Sequence, residues 1–157
     1  MISTLASAVT FASVLPALLV AHNVADHWVQ TSHQAANKGR PDWSGRWACA
    51  KHVATYTLVT ALAVGLVWTV LGLPISPAGF VLGQAVSAVT HYWADRRFTL
   101  SRLAELLGNG EFYSLGAPRT GKDDNPSLGT GAYALDQSWH WLWLFVAALV
   151  TATVGGV

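Results

Sequence analysis

A chain of 157 residues has room for one domain, and only 11% of this one is charged, against roughly 25% in an ordinary soluble domain. Its net charge of +1 excludes a nucleic-acid partner gathered by a basic surface. Its one cysteine, Cys49, excludes an internal disulfide and a thiolate metal cluster, and reads as a small residue near a helix start.

Charges avoid three stretches: no Asp, Glu, Lys or Arg occurs from Met1 to Ala25, from Val53 to Ala94, or from Gln137 to Val157. A bilayer core takes about 20 apolar residues per helix. The outer stretches supply one span each. The middle one supplies two, because Gly72-Leu-Pro-Ile-Ser-Pro77 breaks helix and strand alike. The expected fold is therefore all-α, a single polytopic domain over 1–157. Four transmembrane helices near 3–33, 47–72, 77–97 and 132–155 would form an antiparallel bundle. The first stretch lacks the basic start of a signal peptide, and Met1 to Val20 is too long for the usual apolar region of one. A soluble bundle would show polar faces, whereas 57–73 is apolar almost all round.

The first helix carries His22, Asp26 and Gln30 at spacing four, hence on one face. His27 and His33 lie off that face and read as interfacial. The first loop, 34–47, holds or adjoins Lys38, Arg40, Arg46 and Lys51, and the second helix carries His52. The third helix carries His91 and Asp95, with Gly79, Gly83 and Ser87 at a spacing that lets another helix approach closely. Arg96, Arg97, Arg102, Arg119 and Lys122 all belong to the loop over 98–131 or its edge. With every basic residue in these two places, the positive-inside rule makes both loops cytoplasmic and puts both termini outside.

Within the third loop, Phe98 to Leu107 reads as a short amphipathic helix on the cytoplasmic face. Gly116-Ala-Pro-Arg-Thr-Gly-Lys122 matches the first seven positions of a P-loop. Asp123 stands where Ser or Thr is required and Asn125-Pro126 stops the helix that should follow, so the match is accidental. The loop leads into the fourth helix and is expected to act as a lid over the polar residues. Arg119 and Lys122 would then meet an anionic substrate with Gln30, and Asp123 and Asp124 could add to the site.

The fourth helix carries Asp136 and His140, the same spacing in reversed order. It runs opposite to the first and third, so all three present aspartate toward the cytoplasm and histidine about 6 Å deeper. Trp28, Trp43, Trp47, Trp93, Trp139, Trp141 and Trp143 cluster at the same boundary as an aromatic belt. Ionisable side chains inside a membrane are costly, and mark function by default. Imidazole with carboxylate suits Zn, with Mn or Fe as alternatives. The expected ligands of one or two divalent ions are His22, Asp26, His52, His91, Asp95, Asp136 and His140. An aspartate left uncoordinated, among Asp26, Asp95 and Asp136, would serve as general base. The competing reading of the set is a polar clasp or a proton relay between helices.

The motifs Ala21-His-Asn-Val-Ala-Asp-His-Trp-Val-Gln-Thr31, Lys51-His52, His91-Tyr-Trp-Ala-Asp95 and Leu135-Asp-Gln-Ser-Trp-His140 occur in this order. Together they resemble a family of small bacterial integral membrane proteins, domain of unknown function 3307. The resemblance implies a bacterial inner (plasma) membrane and supports the choice of His22, Asp26, Gln30, His52, His91, Asp95, Asp136 and His140. His27 and the length of the third loop depart from the family pattern. There is a weaker likeness to bacterial membrane-bound metal-dependent hydrolases, which is analogy alone.

The expected function is a metal-dependent hydrolase at the cytoplasmic membrane interface, acting on an anionic, phosphate-bearing or lipid-linked substrate. Its partners would be membrane lipid and that substrate, and a homo-oligomer is compatible with the sequence. The alternative is a non-enzymatic, metal-stabilised interaction protein, or a metal or proton carrier. A carrier fits less well, because the polar groups lie at one end.

Overall fold

The computed structural model of the protein describes residues 2–119, 121 and 129–155, and every regular element among them is helical. Helix α1 spans Ile2–Val24 and runs on as a π-helical turn, Ala25–Val29. Then come α2 Ser32–Asn37, α3 Trp43–Leu71, α4 Pro77–Asp95, α5 Phe98–Leu106, α6 Gly110–Tyr113 and α7 Thr130–Thr153.

Local chemistry accounts for the boundaries. Asp42 caps α3 by accepting a hydrogen bond from the Gly45 amide at 2.8 Å. Gly72 ends α3 in the left-handed region, φ 60°, where a Cβ would be strained. Ser76 caps α4, and Pro77, which has no amide to lose, takes its first position. The breaker between the second and third helices thus works as its residues dictate.

The first helix, with its π-helical turn, stops at Val29, short of the span 3–33 expected from the sequence. Gln30 turns out of the helix at ψ 129°, and a new helix starts behind a capping box. Thr31 Oγ1 accepts from the Gln34 amide, and Gln34 Oε1 accepts from the Thr31 amide. Both donors that a continuous helix would satisfy internally are met by these two side chains.

Backbone packing joins α1 to α3, α3 to α4, α4 to α7 and α7 to α1; among the described residues only side chains bridge a diagonal, as His22 and His91 do between α1 and α4. The four long helices close a ring, and neighbours run in opposite directions. Where α1 and α4 end, α3 and α7 begin. At the other end, Val14, Leu18, Val64, Leu144, Ala147 and Ala148 form an apolar core. There α4 lies close on α7: a Cβ at Gly79 would meet the Val154 and Thr151 carbonyls, and one at Gly83 would meet Thr151. Ser76 Oγ donates to the Val154 carbonyl at 2.6 Å.

Two segments, Thr4–Val29 and Trp43–Leu71, are long and apolar enough to cross a membrane. Their outward faces are apolar as well: Leu58, Leu62, Leu66 and Val70, four residues apart on α3, are all exposed. On α5, Leu100 and Ala104 turn inward while Arg102 and Glu105 face out, the amphipathic pattern expected there.

The α4–α5 corner grips the α2–α3 connection. Arg96, itself buried, donates to the carbonyls of Lys38 (3.0 Å) and Arg40. Arg97, at the positive φ of 56°, donates to the Ala35 carbonyl at 2.9 Å. A strained non-glycine residue at a turn is stable only where its surroundings hold it.

Candidate metal centre

The polar side chains meet where α1 and α4 end and α3 and α7 begin. Asp26 comes from the π-helical turn, His22 from α1, His52 from α3, His91 and Asp95 from α4, and Asp136 and His140 from α7. His22, His52, His91 and Asp95 are at most 1% exposed and His140 is 3% exposed, far below what free ionisable groups tolerate.

The tightest part is a triangle. His52 Nε2 and His91 Nε2 lie 3.0 Å apart, and Asp26 Oδ1 is 3.3 Å from the first and 3.4 Å from the second. Asp95 Oδ2 is also 3.3 Å from both nitrogens. Adjacent ligands of a tetrahedral ion with bonds of 2.0–2.1 Å stand about 3.3 Å apart. Hydrogen bonding accounts for only one of these contacts, between His52 Nε2 and His91 Nε2. A neutral imidazole nitrogen donates one hydrogen in the ring plane, and here each faces three acceptors. Asp26 Oδ1 and Asp95 Oδ2 are in fact buried without any hydrogen bond of acceptable geometry. Such a convergence of unsatisfied donor atoms is what a cation at their centre resolves.

Two further groups share these residues. Ligand atoms of His22, His91 and His140 lie within 4.8 Å of one another, as do those of Asp95, Asp136 and His140. Several of the histidine and aspartate groups could therefore hold a metal ion. The two layers expected from backbone spacing do not stay apart. Side chains four residues apart lean together on a helix, so that His91 and Asp95 on α4 both reach the triangle.

A cleft of about 210 Å³ opens over this cluster. Asp26, Asp95 and Asp136 line it, with none of His22, His52, His91 or His140 in its wall. Aspartates face the opening and histidines stand behind them. Gln30 lines the cleft, as its spacing suggests. Arg119 is exposed and does not line it, while Lys122, Asp123 and Asp124 lie outside the described residues. Leu100 of α5 and Tyr113 of α6 form part of the wall, so the segment after α4 does reach over the cluster.

Several residues at the site carry no mark in the sequence. Lys38, read there only as a topology signal, is buried, and its Nζ is 2.7 Å from Asp95 Oδ1. Burial works against its charge, but the Asp95 and Asp26 carboxylates outweigh it and hold Lys38 above the usual lysine range. Arg97 also lines the cleft. Tyr56 stacks on the His91 ring with centroids 3.8 Å apart and shares a 2.6 Å hydrogen bond with Ser87. The spacing of His52, Tyr56 and Thr60 on α3 is the one signal that could have found it. Among the tryptophans, Trp28, Trp43, Trp47 and Trp141 are exposed near this end, whereas Trp139 stacks on Trp93.

Fold and site together define an all-helical protein with membrane-length helices and buried histidine–aspartate groups fit for a metal ion. The chain belongs to the family described as "Protein of unknown function (DUF3307)", whose model matches residues 14–156. No curated protein and no solved structure is detectably similar to it.

Proposed function

We propose that the chain is a four-span membrane protein of the bacterial inner membrane, and a metal-dependent hydrolase acting at the cytoplasmic interface on an anionic, phosphate-bearing or lipid-linked substrate. The observation that carries the metal is the Asp26–His52–His91 triangle with its 3.0–3.4 Å edges. The membrane reading is supported by the outward leucines and valines of α3 and by exposed Val81 and Val89 on α4 and Leu142 and Phe145 on α7. Such a continuous apolar exterior is unsuited to water. Exposed tryptophans at the site end suit the headgroup region, and the basic residues beside them suit the cytoplasmic side.

In this reading Asp26, His52 and His91 hold the ion, which when bound supplies Lewis acidity and a more acidic water. Asp136, 22% exposed at the cleft, is the carboxylate placed to take a proton from that water. Lys38, Arg97 and Gln30 give the cleft its affinity for an anion. A cleft of this size suits a small anionic group rather than a whole macromolecule.

The test is protein purified in detergent, assayed for bound metal and screened against phosphoesters and phospholipids with and without Zn or Mn. Metal-dependent turnover that is lost in His52→Ala supports the proposal. Stoichiometric metal without turnover of any of these leaves the metal-stabilised interaction protein, a reading favoured by how fully the four histidines are enclosed. Lys51 is exposed beside the site, so a reagent that reaches Lys51→Cys only from the outside would overturn the orientation.

A further inference from the structure

The Asp95–Asp136–His140 group could hold a second ion, and its two carboxylates invite one. Its geometry shows that a cation already stands there. Lys38 Nζ contacts Asp95 Oδ1 at 2.7 Å. This is the Asp95 oxygen that faces His140 Nε2, 4.0 Å away, while the other oxygen faces His52 and His91. Each oxygen of Asp95 is thus committed to a different cation position.

We infer that the centre holds a single divalent ion, at Asp26, His52 and His91, and that the Lys38 ammonium takes the place of a second ion beside Asp95 and Asp136. This rests on the metal reading proposed above and deepens it by giving the number of ions and the role of Lys38.

Three observations support it. The first is charge. Asp26, Asp95 and Asp136 carry three negative charges, which Lys38 and one divalent ion neutralise. A second divalent ion would leave the buried site doubly positive, with Arg96 and Arg97 close by, and uncompensated buried charge is strongly disfavoured. The second is anchorage. Lys38 does not reach in from a free loop: its carbonyl accepts from Arg96, its amide donates to the Gln34 carbonyl, and Arg97 holds Ala35. The side chain of Arg97 lies so close on Gly39 that a Cβ there would meet it. The residues on either side of Lys38 are therefore fixed against the α4–α5 corner. The third is access. Lys38 lines the cleft beside Asp95 and Asp136, so its ammonium offers an incoming anion the charge that a second ion would otherwise provide.

The experiment is metal content per chain, measured on detergent-purified protein loaded with excess Zn and passed through desalting to remove loose metal. Wild-type protein and Asp136→Asn should each retain one ion, and His52→Ala none. Lys38→Met, which removes the ammonium while keeping much of the side-chain volume, should retain two, and Lys38→Met combined with Asp136→Asn should return to one. Two ions in the wild type, falling to one in Asp136→Asn, would overturn the inference while leaving the metal centre standing. A single ion in folded Lys38→Met would overturn the role of Lys38. No ion in the wild type would overturn the metal reading and this inference with it. The wild-type and Asp136→Asn arms decide the number of ions even where Lys38→Met does not fold.

Discussion

The two ends of the helical ring solve the same packing problem with opposite materials. At the end away from the site, Val14, Leu18, Val64 and Leu144 fill the space, and glycines let α4 close on α7. Polar groups near the middle are satisfied in pairs: Thr60 donates to Gln84 Oε1 at 2.8 Å, and Tyr56 meets Ser87. At the site end, buried histidines and aspartates crowd together, and Asp26 Oδ1, Asp95 Oδ2 and His140 Nε2 accept no hydrogen bond. The apolar end leaves a single such atom, Thr10 Oγ1, among its described residues, whereas the site end gathers several that a cation could satisfy. A protein tolerates such an end when the group it lacks is its ligand.

If that contrast is right, the one all-or-none effect belongs to the metal. His52→Ala should abolish metal retention, and chelator treatment of the wild type should lower its thermal stability in detergent. Binding at a 100- to 1,000-fold excess over Kd is worth about 3–4 kcal/mol of apparent stability, so the shift should be evident in a melting curve. An unchanged melting temperature after full metal removal would break the comparison.

The apolar end should respond in the opposite way. Leu144→Ala, at 2% exposure, should cost about 2–5 kcal/mol by leaving a cavity, yet leave the metal content at its wild-type value. Gly83→Val should cost somewhat less, about 1–3 kcal/mol, by forcing α4 off Thr151. Thermal unfolding followed by circular dichroism reads both. Metal loss in either variant would mean that the ends are coupled rather than separate.

A smaller effect is expected between the two. Tyr56→Phe removes a buried hydrogen bond to Ser87 but keeps the ring on His91, and should cost about 1 kcal/mol. Smallest of all, Leu62→Ala on the outward face of α3 should change stability by only a few tenths of a kcal/mol in detergent. A large loss there would point to a protein partner on that face.

Much of this was legible in the residues. The absence of charge over long stretches, with Gly72 to Pro77 as a break, marks long helices and the turn between α3 and α4. The i,i+4 repeats of His22–Asp26, His91–Asp95 and Asp136–His140 mark one face on each of three helices, because helical periodicity is a local property. The end of α1 is not legible in the same way, since the Thr31–Gln34 capping box is a short signal inside a polar stretch, and the run of residues before it favours continuation. The role of Lys38 is hidden in the sequence for a different reason. Nothing within a few residues of a lysine distinguishes one held in solvent from one held on a buried carboxylate 57 positions away.

By itself, then, the sequence determined the all-helical class, the family and the roster of histidines and aspartates. All of these follow from composition or from spacing along one helix. The tertiary structure decided which of those side chains meet. It joined His52 to His91 across two helices, set Asp26 against both, stacked Tyr56 beneath them, and brought Lys38 to Asp95 through the grip of Arg96 and Arg97. Those contacts depend on how helices are rotated and offset against one another. The Gly79–Gly83–Ser87 spacing marks in the sequence a face that another helix can approach closely, but that α7 is the helix it meets, and that Arg96 and Arg97 clamp the α2–α3 connection, only the tertiary structure decided.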